Sequence, residues 1–113
     1  MIILPLPPSI NRIYKIRYGG RGIYKDKKAK DWEEEAGWEL KRQWKKPPYK
    51  SQVYLGIVYF MKVDSDIGNR DKILEDRLQG FLYINDKQIW HKNVKKEIDK
   101  KNPRVEIEVH PLF

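Results

Sequence analysis

The 113-residue chain has no cysteine, which excludes disulfides and cysteine-ligated zinc. No apolar run approaches the roughly 20 residues that a membrane-spanning helix needs. The opening Met1-Ile2-Ile3-Leu4-Pro5 is too short for a signal peptide and lacks the basic start of one. A soluble, cytoplasmic protein with no membrane partner is the expectation. Histidine is scarce: only His91 and His110 are present, and both read as surface residues. A Gly-rich phosphate loop of P-loop spacing and a serine or cysteine triad are also missing. With no internal repeat and no low-complexity linker, residues 1–113 read as one domain with one modest core.

What the chain does have is charge. Charged residues make up 35% and hydrophobic ones 40%, a globular balance rather than a disordered one. Twenty-four Lys and Arg against 16 Asp and Glu leave a net charge of +8. Such a protein favours a polyanionic partner, either nucleic acid or an anionic surface.

Periodicity gives the elements. Met1 to Leu6 reads as a short strand stopped by Pro5, Pro7 and Pro8. Lys27 to about Lys45 reads as a helix, with Ala29, Trp32, Ala36 and Leu40 at helical steps and acids ahead of bases. Gln52 to Lys62 is the clearest strand. Val53, Leu55, Ile57, Tyr59 and Met61 point one way and Tyr54, Val58 and Phe60 the other, so it reads as central, with one face for helices and the other open to a partner chain. Ile67 to Phe81 reads as a second helix, and Gln88 to Ile98 and Arg104 to His110 as two more strands. The fold class is α+β, with two helices packed on one face of a small mixed sheet.

The unusual segment is Asp64-Ser65-Asp66-Ile67-Gly68-Asn69-Arg70-Asp71-Lys72, an acidic helix start in a basic protein. Asn69, Lys72 and Asp76 share one helical face, opposite Ile67, Leu74 and Leu78. Asp66 alone reads as an N-cap, favoured there by the helix dipole, and Asp86 in Asn85-Asp86-Lys87 reads as a turn aspartate. A second reading brings both ends of this helix-turn unit to one strand edge. Two carboxylates converging in a basic groove make a magnesium site, and such a metal polarises phosphate and activates water.

Three motifs give the chain a resemblance to the RusA-type Holliday junction resolvases. Pro7-Pro8-Ser9-Ile10-Asn11-Arg12 resembles that family's N-terminal Pro-Pro-Ser-x-Asn segment. Asp66 to Lys72 resembles its Asp-x-Asp-Asn-x-x-Lys segment, and Tyr83 to Ile89 its closing Asp-Asp-x-Gln-Ile segment. The resemblance implies a homodimer that uses Mg2+ (or Mn2+ as a substitute) to nick four-way junction DNA symmetrically in recombination and repair. It implies Asp66 and Asp86 as metal-binding carboxylates, Lys72 as the catalytic lysine, Asn69 and Asp76 in support, and Asn11 and Arg12 near the DNA. Gly68 departs from the pattern, because the family has Asp there. Asp64 or Asp71 is then expected to replace that carboxylate. The alternative is a homologue that binds branched DNA without cutting it. Lys15, Arg17 and Arg21 add to a basic N-terminal third, and Lys92, Lys95, Lys96, Lys100 and Lys101 to a basic C-terminal hairpin. Around an acidic pocket, both read as phosphate rails.

Overall fold

The computed structural model describes residues 1–8, 14–16, 23–25, 27–65 and 67–112, with 14–16, 23–25 and 69 described by their backbone alone. Ile2–Leu4 (β1), Tyr14–Ile16 (β2) and Ile23–Lys25 (β3) precede the helix Lys27–Gln43 (α1). Val53–Met61 (β4), Gly68–Leu78 (α2), Ile89–Ile98 (β5) and Arg104–Pro111 (β6) follow, with a 3-10 turn at Asp86–Gln88. The main sheet has the order β1-β6-β4-β5, and β2 pairs with β3 in a separate hairpin.

β4 is central, as its alternation predicts. It runs parallel to β5, with α2 as the crossover, and antiparallel to β6. Val53, Leu55, Ile57, Tyr59 and Met61 are buried, together with Val105, Ile107 and Val109 of β6 and Ile2 and Leu4 of β1. Against this face pack Ala29, Trp32, Ala36 and Leu40 of α1 and Ile73, Leu74 and Leu78 of α2. Full burial of each larger apolar side chain contributes about 1.5–3 kcal/mol, so this layer carries the stability of the domain. The acids of α1 precede its closing bases Lys41 and Arg42, but they begin after the first turn, which holds Lys27, Lys28 and Lys30 and no acid.

The opposite face of the sheet is partly dressed by its own polar side chains. Tyr54 lies between the only two histidines, 5.0 Å from the His91 ring and 6.0 Å from the His110 ring. The Arg104 guanidinium covers Phe60 at 3.9 Å. At the β1 edge, Gln43 of α1 donates to the Ile3 carbonyl at 2.7 Å and accepts from the Ile3 N–H at 2.8 Å. This satisfies backbone groups that would otherwise invite another strand.

Candidate functional site

The start of α2 lies beside the C-terminal ends of β4 and β5. The helix cap falls on Ile67, which makes no side-chain cap bond, so the N-terminal amides receive no capping side chain from that position. Asp66, the first proposed metal ligand, lies outside the described residues, as do Asn11, Arg12, Arg17 and Arg21. Lys15 is described only as a backbone position in β2, opposite Tyr24, and Asn69 only as a backbone position in α2. Lys72 and Asp76 are exposed, and neither has an ion-pair partner among the described residues. Asp64 is exposed and accepts from Lys96 of β5 at 2.6 Å. In water such an exposed bridge contributes about 0–1 kcal/mol, so it holds Asp64 only weakly.

Arg70, a residue the sequence reading passes over, joins two of the motifs. Its guanidinium donates to the Pro7 carbonyl, and to Ser65 Oγ at 3.4 Å. The Pro-Pro segment is therefore tied to the start of α2 across 63 positions of sequence. No sequence signal marks this, because the acceptor is a backbone oxygen.

Asp71 belongs to a different environment. Tyr59 donates its hydroxyl to Asp71 Oδ1 at 2.6 Å, and the Lys92 ammonium bridges Asp71 Oδ2 and Glu75 Oε2. Two half-buried carboxylates share one cation. Burial pushes the Glu75 carboxyl up, with the Asp71 charge adding to it against the pull of Lys92. Burial works against the Lys92 charge, but its two carboxylate partners prevail and hold its pKa above the usual lysine value. Burial, then the bond to Asp71, keeps the Tyr59 hydroxyl protonated far past the ordinary range. With both oxygens of Asp71 engaged, the expectation that it replaces the carboxylate missing at Gly68 loses its geometric support. Asp64 remains.

The far end of α2 is built around a turn. Gly80 takes φ +93, the left-handed region that glycine enters without strain. Its N–H donates to the Tyr83 carbonyl at 2.7 Å, folding the chain back. Asn85 then caps the short turn, accepting from the Lys87 N–H at 2.9 Å. Gln88 holds the turn from both sides. Its Oε1 accepts from the N–H groups of Ile84 and Asn85, and its Nε2 donates to the carbonyls of Tyr49 and Ser51 at 2.7 and 2.8 Å. The Asp86 N–H donates to Gln79 Oε1 at 3.3 Å. The Asp86 carboxylate itself is exposed and pairs with no described cation. The glutamine of the closing motif is thus the fastener that presents an unpaired aspartate.

The topology separates the start of α2 from the Asp86 turn within one chain. β4 and β5 are parallel, so α2 must run back between them. Its 11 residues span about 16 Å. Asp86 is fastened to Gln79 beyond the last turn, whereas Ser65 and Ile67 stand at the first. Along β5, Lys96, the partner of Asp64, lies seven residues from Ile89, about 23 Å. Among the described residues no three His, Asp or Glu side chains come together to hold a metal. Aspartate oxygens are hard donors that suit magnesium, and the described candidates, Asp64 and Asp86, stand near opposite ends of α2.

These features define a small α+β domain that carries exposed carboxylates and lysines near both ends of α2. The family model described as Endodeoxyribonuclease RusA matches residues 5–110. The chain therefore belongs to the RusA family, and membership implies nuclease activity of the Holliday junction resolvase kind. No curated protein matches the chain. Among the described residues no helix is long and apolar enough to cross a membrane.

Proposed function

We propose that the protein is a magnesium-dependent, structure-selective endonuclease that nicks four-way junction DNA symmetrically, working as a homodimer whose two sites are each assembled from two chains. The observation that carries this reading is the separation of the α2 start from the Asp86 turn. A two-fold axis that sets opposite ends of two α2 helices side by side brings the Asp66 end of one chain to the Asp86 end of its partner. Two such sites, related by the same axis, suit two opposed strands of a junction.

In each site Asp66 and the partner's Asp86 hold the ion, and the weakly paired Asp64 stands in for the carboxylate absent at Gly68. An ion held there would supply Lewis-acid chemistry, polarising the scissile phosphate and making an attacking water easier to deprotonate. Lys72, exposed on the first turns of α2, meets the phosphate and steadies the charge that develops on it. Asn69, three residues ahead on the same helical face, helps to orient that phosphate. Asp76, a turn beyond Lys72, supports the lysine. Arg70 holds Pro7, at the start of the N-terminal motif, beside this end of the helix, and Asn11 and Arg12 of that motif contact the DNA. Lys15, Arg17, Arg21 and the lysines of β5 supply contacts to the DNA backbone.

The absence of a carboxylate at Gly68, with Asp71 engaged by Tyr59 and Lys92, favours one second reading: a junction binder that no longer cuts. Synthetic four-way junctions incubated with Mg2+ or Mn2+ separate the two. The nuclease reading expects paired nicks from the native chain, and Asp66→Asn and Asp86→Asn that bind without cutting. A silent native chain that cuts once it carries Gly68→Asp would establish the binding-only reading.

A further inference from the structure

Large apolar side chains are exposed at both ends of β5. At the Asp86 end, Ile84 is 52% and Trp90 68% exposed; at the Asp64 end, Val63 is 68% and Ile98 53% exposed. The β4–β5 register slips between Val53–Ile89 and Tyr54–His91, leaving Trp90 as the bulged residue. Bulges are rare between parallel strands and re-aim side chains at sheet edges, and β5 is the edge strand. At the other end of the same edge, Asp64, Lys96, Glu97 and Ile98 line a shallow recess of about 210 Å³. One end of the edge thus carries a projecting indole and the other a recess walled by Ile98, Glu97 and the Lys96–Asp64 ion pair.

Resting on the two-chain reading above, we propose that Trp90 of each chain docks in the recess formed by Asp64, Lys96, Glu97 and Ile98 of a second copy. The occupant is a second copy because the two features sit at opposite ends of one edge. A two-fold axis therefore satisfies both at once and leaves no unpaired surface to propagate. The fit is chemical as well as geometric. The indole covers Ile98 and Val63, and the Lys96 ammonium lies against its face in a cation–π contact. Asp86 is four residues from Trp90, so the same docking carries it to the partner's α2 start. The opposite sheet face offers less, because Arg104, His91 and His110 already cover its aromatic residues.

The lack of cysteine permits a clean test. Trp90→Cys and Ile98→Cys chains are prepared separately, mixed, and oxidised. Positions 90 and 98 lie about 26 Å apart along one strand, so a disulfide between them forms only between chains. The proposal expects a covalent heterodimer from the mixture and little from either variant alone. It also expects Trp90→Ala to weaken dimerisation about thirtyfold by sedimentation, with an unchanged circular dichroism spectrum. A dimer that forms no such cross-link, or that Trp90→Ala leaves intact, overturns this contact while the two-chain site stands. A chain that stays monomeric at every concentration, with or without junction DNA, overturns both.

Discussion

The two ends of α2 treat their carboxylates in opposite ways. Near the start, Asp71 is half-buried and bound by Tyr59 and Lys92, with Glu75 drawn into the same cluster. Beyond the finish, Asp86 is exposed and has no ion-pair partner among the described residues, although a tight frame of Gln88, Asn85 and Gln79 holds its backbone. The first arrangement uses acids to dock a helix on the sheet. The second spends hydrogen bonds on the backbone around an acid whose carboxylate stays exposed. Rigid backbone around a free carboxylate is what a metal ligand requires. A carboxylate whose oxygens already have donors is a poor ligand, wherever its position in a motif.

Substitutions should break this contrast in graded ways. The largest effect belongs to Asp86→Asn. Junction cleavage should fall about a hundredfold or more, while the melting temperature stays within a degree or two and junction affinity holds or rises. Lys92→Met should do the reverse. It leaves two half-buried carboxylates without a cation, and with Lys92 partly exposed the loss is about 2 kcal/mol. Thermal unfolding should read this as a fall of roughly 8–12 °C, with cleavage per folded molecule largely retained below the transition. Gln88→Ala stands between the two: a loss of about 1–2 kcal/mol in stability, accompanied by weaker cleavage because the Asp86 turn loosens.

The smallest effect concerns pH. The pKa of Glu75 is raised in the folded protein above its ordinary 4.5, so the native state holds this proton longer than the unfolded chain. The contribution of Glu75 to stability therefore declines as pH climbs from about 4.5 through the raised value. Glu75→Gln should flatten that decline in denaturant titrations run between pH 4 and 7, by a few tenths of a kcal/mol. A slope unchanged in the variant would assign the decline to another group.

Much of the architecture was legible in the chain. The alternation of Val53 to Met61 marked the central strand, helical spacing from Ala29 to Leu40 marked α1, and Gly80 marked the turn after α2. The ion cluster was not legible. Lys92 reads as one lysine in a basic run, and only the register of β5 against α2 brings it to Asp71 and Glu75. Arg70 was equally silent, and Gln88, although part of the closing motif, gave no sign of its role, since both act on backbone carbonyls distant in sequence. The separation of the α2 start from the Asp86 turn was also readable in the order of elements. A strand, an 11-residue helix and a second parallel strand place the two loops at opposite ends, because a crossover must return to where it began.

The two-chain site is tested most directly by mixing Asp66→Asn chains with Asp86→Asn chains and assaying four-way junction cleavage with magnesium. Each variant alone is expected to be inactive. In a mixed dimer one site receives both intact aspartates and the other neither, so the account predicts that cleavage returns, as nicks in one strand of the pair. A mixture that forms heterodimers and binds junctions yet cuts neither strand would contradict it.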